Sequence, residues 1–200
     1  MTFAFIRHGQ TDWNRDELLQ GASDIPLNER GRAQAVEAIA VLAGVDWRVI
    51  VSSPLSRARE TAEIIAVGLG IELGASYNEL VERNYGAAEG VTAETATERW
   101  PDKNFPGLES LDSVVARGRA ALARIFADYG DTNVVIVCHG TLIRYTLAAL
   151  AARRFEAIRN GSVATFERAG DAWRVLTVND EPVAALSSPS PERRAGQRPR

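Results

Sequence analysis

The sequence predicts an α/β fold of three layers, with a mostly parallel central sheet, helices on both faces and a small loop and helix lid. Three observations predict it. Short, largely apolar runs at Thr2–Ile6, Trp47–Ser52 and Asn133–Val137 have the character of strands buried on both faces. Segments of helical period separate them, the alternation that builds a parallel sheet. Two of the runs lead into a His-Gly pair, and open sheets of this kind bind ligands at the carboxyl ends of their strands.

The elements follow in order. The first strand ends at Arg7, and a loop runs through Pro26. Asn28 can cap a helix reaching about Leu42, with Val36, Ile39, Leu42 and Ala43 turned inward. After the second strand, Ser53 and Pro54 read as an N-cap and a first-turn proline. The helix that they open places Leu55, Ala58, Ala62, Ile65 and Leu69 three and four apart, which makes one apolar face. Residues 76–109 are rich in loops, with a short helix near Ala93–Trp100. From Leu111 to Tyr129 a single stripe runs through Val114, Val115, Gly118, Ala121, Leu122, Ile125 and Phe126. The strand at Asn133–Val137, a helix over Thr141–Ala152 and a terminal hairpin from Ser162–Phe166 and Ala172–Val178 complete the domain. That domain spans residues 1–183. The segment 184–200, rich in Pro, Ser and Arg, reads as a disordered tail.

Composition narrows the function classes. The chain has 200 residues, 46% hydrophobic and 24% charged, enough for one sizeable core. Cys138 is its only cysteine, which excludes a scaffold built on internal disulfides. No apolar run approaches the roughly 18 residues that span a bilayer. The amino-terminal stretch MTFAFIRHG lacks the basic and apolar regions of a signal peptide. The expectation is a cytoplasmic protein with no membrane partner. Net charge is −3, and the last fourteen residues carry four arginines against one glutamate, so the body is more acidic still. An acidic body argues against nucleic acid as a partner. All but Lys103 of the 23 basic residues are arginine, a residue suited to two-pronged contact with carboxylate or phosphate.

The only two histidines, His8 and His139, each follow a buried strand and precede a glycine, which permits close backbone approach to a ligand. Two such placements point to a shared site. Arg7 adjoins His8, and Arg57 lies in the first turn of the helix opened by Ser53-Pro54. Helix N-termini present unpaired N–H groups and positive potential. Two guanidiniums, two imidazoles and such a terminus would suit a phosphoryl group.

The blocks Arg7–Asn14, Leu19–Ala35, Ser52–Ala62, Leu80–Gly90 and Val135–Arg144 closely resemble the histidine phosphatase superfamily, the phosphoglycerate-mutase-like family, in order and spacing. Asn160–Glu167 is similar to its late strand, so the resemblance covers about residues 3–178. It implies that His8 attacks phosphorus and becomes a phosphohistidine. It implies that Arg7, Arg57 and His139 hold the phosphoryl oxygens, and that Glu82 protonates the leaving oxygen and then activates water. It places Asn14, Gln20, Gly21, Gly140 and Thr141 around the pocket, the last four through their backbone. Arg83 and Tyr85 match residues that help bind phosphoglycerate in the mutases. The family needs no metal and no organic cofactor, acts on small phosphorylated metabolites, and often forms homodimers.

Elementary chemistry agrees with these roles. An imidazole that attacks must be neutral on the attacking nitrogen, and neighbouring arginines disfavour imidazolium. The same charges stabilise the transition state. Glu79 and Glu89 are further acids near Glu82, expected to serve the loop rather than the reaction.

Rival readings remain at this level. Cys138 and Arg144 satisfy C-x5-R, the spacing of cysteine-based phosphatases, although that leaves His8, Arg57 and Glu82 without a role. The stretch Glu82–Tyr85 resembles the mutases, but the chain between Glu82 and His139 is too short for their insertion, and its only lysine is Lys103. A phosphatase is therefore preferred to a mutase. A non-catalytic phospho-ligand binder would be expected to lack the nucleophile, an anchoring arginine or the acid, and all are present. Specificity resides in residues 84–110, which match no motif that can be read chemically.

Overall fold

The computed structural model describes residues 1–170 and 172–183. The expected tail at 184–200 lies outside the described residues. Strands β1 (Thr2–Arg7), β2 (Val49–Ser52), β3 (Glu72–Ser76), β4 (Val134–Cys138), β5 (Val163–Ala169) and β6 (Ala172–Val175) form one sheet in the order β3-β2-β4-β1-β5-β6. The first four strands in that order run parallel, while β5 and β6 run antiparallel at one side. A short ribbon of β7 (Thr177–Val178) and β8 (Glu181–Pro182) follows.

Both sheet faces are covered because the central strands are apolar on both sides. In β1, Phe3 and Phe5 join a core with Leu122 and Ile125 of α5 (Leu111–Tyr129) and with Leu142 and Leu147 of α6 (Gly140–Ala151). The alternate residues Ala4 and Ile6 join a second core. There they meet Ala38 and Leu42 of α2 (Glu29–Leu42) and Ala58, Ala62 and Ile65 of α3 (Ser56–Leu69). The predicted three-layer class is the observed one. Among the described residues, no helix is long and apolar enough to cross a membrane.

Register positions the site. Arg7 lies opposite Cys138 in the parallel pairing of β1 with β4, so the next residues, His8 and His139, leave adjacent strand ends side by side. After His8 the chain must pass close to the start of α2. A Cβ on Gly9 would sit 2.2 Å from the carbonyl oxygen of Gly31, so the crossing needs glycine.

Several local expectations are corrected. Val36 is 58% exposed, and the inward face of α2 is made of Gly31, Ala35, Ala38 and Leu42, with small residues allowing close approach to the neighbouring helix. Helix α3 begins at Ser56, not at Ser53-Pro54, and its N-cap Leu55 makes no side-chain cap. Strand β3 was not foreseen; as an exposed edge it carries no apolar run. The loop before Pro26 contains a one-turn helix, α1 (Asp12–Arg15), set by a capping box between Thr11 and Asn14. The lid carries α4 (Ala93–Arg99), where a short helix was expected.

Candidate active site

His8 is the centre of the site. Its Nδ1 lies 2.7 Å from the carbonyl oxygen of Gly9, which can only accept, so Nδ1 carries the proton and Nε2 keeps its lone pair. Arg57 Nε donates to that Nε2 across 3.2 Å. His8 is held well below the ordinary histidine range, first by burial and then by the charges of Arg57 and Arg7. It is therefore a neutral imidazole at neutral pH. The ring of His139 stands edge-on to it, with centroids 5.1 Å apart.

Arg57 is completely buried on α3, unusual for an arginine, and its burial is matched by hydrogen bonds. Beyond His8, it donates through Nη1 to Ser23 O at 2.7 Å and through Nη2 to Gly21 O at 2.8 Å. Burial draws its pKa down to about 10, so it stays a cation at neutral pH. Arg7 donates from Nη1 to Ile158 O at 2.7 Å. Gly140 leaves room beside it, since a Cβ there would stand 3.2 Å from Arg7 Nε.

His139 is fully buried and lies behind the cavity wall instead of on it. Its Nε2 meets Ser53 Oγ at 2.9 Å. Ser53 Oγ also accepts from Leu55 N at 3.4 Å, while the first N–H of α3, that of Ser56, is taken by Asp24 Oδ1 at 2.8 Å. Burial, followed by Arg57 and His8, lowers the His139 pKa well below its usual value.

Glu82 faces the first turn of α6. Its carboxylate accepts N–H bonds from Thr141 at 2.9 Å, Leu142 at 3.1 Å and Arg83 at 2.8 Å. Tyr85 reaches the same turn, with its hydroxyl 2.7 Å from Thr141 Oγ1. Arg83 packs against the Tyr85 ring and donates from Nε to Glu109 O at 2.8 Å. The neighbouring acids take structural positions, as expected. Glu89 accepts from Ala22 N and Ser23 N, both at 2.9 Å, and fastens the 20s loop, while Glu79 pairs with Arg124 at 3.1 Å.

All the predicted site residues except His139 line one cavity of about 260 Å³: Arg7, His8, Asn14, Gln20, Gly21, Arg57, Glu82, Arg83, Tyr85, Gly140 and Thr141. Gln20 differs from expectation, because its side chain as well as its backbone enters the site, bonding Thr11 and Asn14. Three buried nitrogens around the cavity have no hydrogen-bond partner among the described residues: Arg7 Nε, Gln20 Nε2 and His139 Nδ1. Unpaired buried polar atoms cost about 1–3 kcal/mol each, so their clustering calls for a ligand that repays it.

Sequence reasoning missed other members. Leu18, Leu19, Arg144, Tyr145, Ala157 and Ile158 complete the wall. Asn160 bonds the carbonyl of His8 at 3.0 Å, and Thr61 Oγ1 accepts from Gly9 N at 3.1 Å. Asn160 and Arg144 lay inside recognisable sequence blocks, but nothing in the blocks showed what they touch. Ile158 contributes a carbonyl, which side-chain identity does not reveal.

The C-x5-R reading fails on geometry. Cys138 is fully buried in the core at the end of β4, and burial pushes its thiol pKa up, away from thiolate. Helix α6 starts two residues later, so the intervening residues form helix instead of a phosphate-cradling loop, and Arg144 Nε is tied to Phe155 O at 2.7 Å.

Comparison with known proteins gives consistent results. A family model, the histidine phosphatase superfamily (branch 1), matches residues 3–181. The uncharacterized phosphatase PhoE of Bacillus subtilis (strain 168) is 36% identical over 178 residues, covering 87% of this chain and 92% of that protein. Phosphoglycerate mutase-like protein 4 of Arabidopsis thaliana is 35% identical over 192 residues, covering 88% and 83%. Among solved structures, a mycobacterial glucosyl-3-phosphoglycerate phosphatase in complex with VO3 superposes with a TM-score of 0.81 at 31% identity, over 89% of this chain and 98% of that one.

Proposed function

The chain belongs to the histidine phosphatase superfamily, and we propose that within it this protein is a phosphomonoester hydrolase acting on a small phosphorylated metabolite through a phosphohistidine at His8. One observation carries the reading: the lone pair of a neutral His8 Nε2 lies at a cavity lined by two guanidiniums and by Gln20, with buried nitrogens of Arg7, Gln20 and, behind the wall, His139 left without partners.

The steps follow from that arrangement. A phosphoryl oxygen takes over the hydrogen bond that Arg57 makes to Nε2 and so frees the lone pair. Nε2 then forms a bond to phosphorus, while the bond to the leaving oxygen breaks with its electron pair. Arg7 and Arg57 on the cavity wall hold equatorial oxygens, the charges of which grow in the transition state, and His139, buried beside His8, offers its unpartnered Nδ1 from behind them. In this reading Ser53 donates to His139 Nε2, and the proton of the neutral ring then sits on Nδ1, free for a phosphoryl oxygen. Glu82 is the group placed to pass a proton to the leaving oxygen; its carboxylate then draws a proton from water, which displaces His8 and releases inorganic phosphate. Arg83 and Tyr85 hold the rest of the substrate. Similarity to both phosphatases and a mutase-like protein leaves the acceptor as the distinguishing point, and water is favoured because the lid between Glu82 and His139 is short.

The test is a panel of phosphorylated metabolites, including 3-phosphoglycerate with a 2,3-bisphosphoglycerate primer. Release of inorganic phosphate supports the hydrolase. Isomerisation without release would make the protein a mutase.

A further inference from the structure

Gln20 Nε2 is a buried donor without a partner, at the end of a chain of side-chain amides the polarity of which is fixed from outside. An amide can face its neighbours in two ways, and the order of donors and acceptors decides which end meets the ligand. Here the backbone decides. Asn160 Nδ2 lies 3.0 Å from His8 O and 3.4 Å from Gly9 O, and both carbonyls can only accept. Asn160 must therefore turn its NH2 group toward them. The same NH2 donates to Asn14 Oδ1 at 3.1 Å. Thr11 N, which can only donate, reaches that same oxygen at 3.2 Å. Asn14 is thus fixed with its oxygen inward and its NH2 pointing on to Gln20 Oε1 at 3.2 Å. Thr11 Oγ1 already accepts from Asn14 N, and it donates its proton to Gln20 Oε1 at 3.1 Å. With its oxygen doubly engaged, the Gln20 carboxamide has only its NH2 left for the cavity.

We propose that Asn160 is a positioning residue that acts through Asn14 to hold the Gln20 carboxamide with its NH2 toward the phosphoryl group. The inference rests on the phosphoryl reading of the cavity and adds what that reading does not contain, a route by which Asn160, in the turn before β5 and off the cavity wall, acts on anion binding. Reversing the relay would present Gln20 Oε1 to an anion, which repels it. A charge-assisted hydrogen bond is lost in the same step.

The test measures inhibition of p-nitrophenyl phosphate turnover by orthovanadate, with direct vanadate binding for variants without turnover. Gln20→Ala is compared in three backgrounds: wild type, Asn160→Ala and Asn14→Asp. In wild type, Gln20→Ala should weaken vanadate binding by about tenfold or more, the size of a hydrogen bond to a charged group. In Asn14→Asp the side chain at 14 can no longer donate, so Gln20 turns its NH2 back and its oxygen forward. Removing Gln20 there should leave vanadate affinity unchanged or improve it. In Asn160→Ala only Thr11 N is left to hold Asn14 Oδ1 inward, so the cost of Gln20→Ala should shrink, though by less than in Asn14→Asp. An equal loss from Gln20→Ala in every background would overturn the relay, because a merely structural role for Asn160 lowers affinity without changing what Gln20 contributes. Should Asn160→Ala fail to fold, Asn160→Ser, which shortens the side chain and removes its NH2 group, takes its place. A wild type with neither turnover nor vanadate binding would overturn the phosphoryl reading itself, and the relay with it.

Discussion

Arg57 Nε donates to His8 Nε2 across 3.2 Å, so the side chain that engages the lone pair of this nitrogen is also one of the charges that keep the ring neutral. The pair couples protonation to anion binding. Imidazolium at His8 would face Arg57 at hydrogen-bond distance inside a buried site, where two cations repel strongly.

The first prediction concerns pH. The free-enzyme profile of kcat/KM should lose activity on the acid side only well below pH 6.5, because burial and two arginines hold His8 down. Arg57→Gln removes a positive neighbour, which makes protonation of His8 easier and raises its pKa. The acid limb should move to higher pH, and kcat/KM at neutral pH should fall by about a hundredfold or more. An unmoved limb would mean that another group sets it.

Glu82→Gln should separate leaving groups. Nitrophenolate departs without a proton, whereas a sugar alkoxide needs one. The variant should lose about 10²–10⁴-fold on alkyl phosphates and much less on p-nitrophenyl phosphate. Equal losses on both would remove Glu82 from the acid role.

Ser53→Ala should raise KM or vanadate Ki severalfold with little change in thermal stability. It would leave His139 Nε2 unpaired and free the ring to place its proton on either nitrogen. Ser53→Thr, which keeps the hydroxyl, should restore most of the affinity. A threonine variant as weak as alanine would point to packing instead of the hydrogen bond.

Stability should also depend on the imidazoles. His8 and His139 are both held neutral in the fold, with pKa values below their unfolded value of 6.5. The unfolded chain takes up protons first as pH falls, so their contribution is retained above 6.5 and lost progressively toward the depressed folded values. Tm should be lower at pH 5 than at pH 7.5, and the drop should be smaller in His139→Gln.

The sheet and the centre of the site were legible in sequence because both rest on local chemistry. Short continuous apolar runs such as Val134–Val137, set between helical segments, suit strands buried on both faces, and a ligand site at their ends follows from the fold. Position along the chain then placed His8 and His139 together. What escaped was set by long-range contact. Ser53 looks like a helix cap until His139 is brought to it from across the sheet. Asn160 has no local reason to touch His8, and the carbonyl of Ile158 carries no side-chain signature at all. Strand β3 is an open edge, where half-exposed residues blur the apolar pattern. Val36 misled because helical period alone does not say which of two apolar stripes, the alanines or the valines, meets the sheet.

The central claim is tested most directly by trapping the reaction in acid-free quench during turnover of a phosphomonoester and locating the phosphoryl group by mass spectrometry. The account predicts an acid-labile, base-stable N-phosphoryl adduct on His8, absent from His8→Gln. Label on Cys138, or steady turnover in His8→Gln, would contradict it.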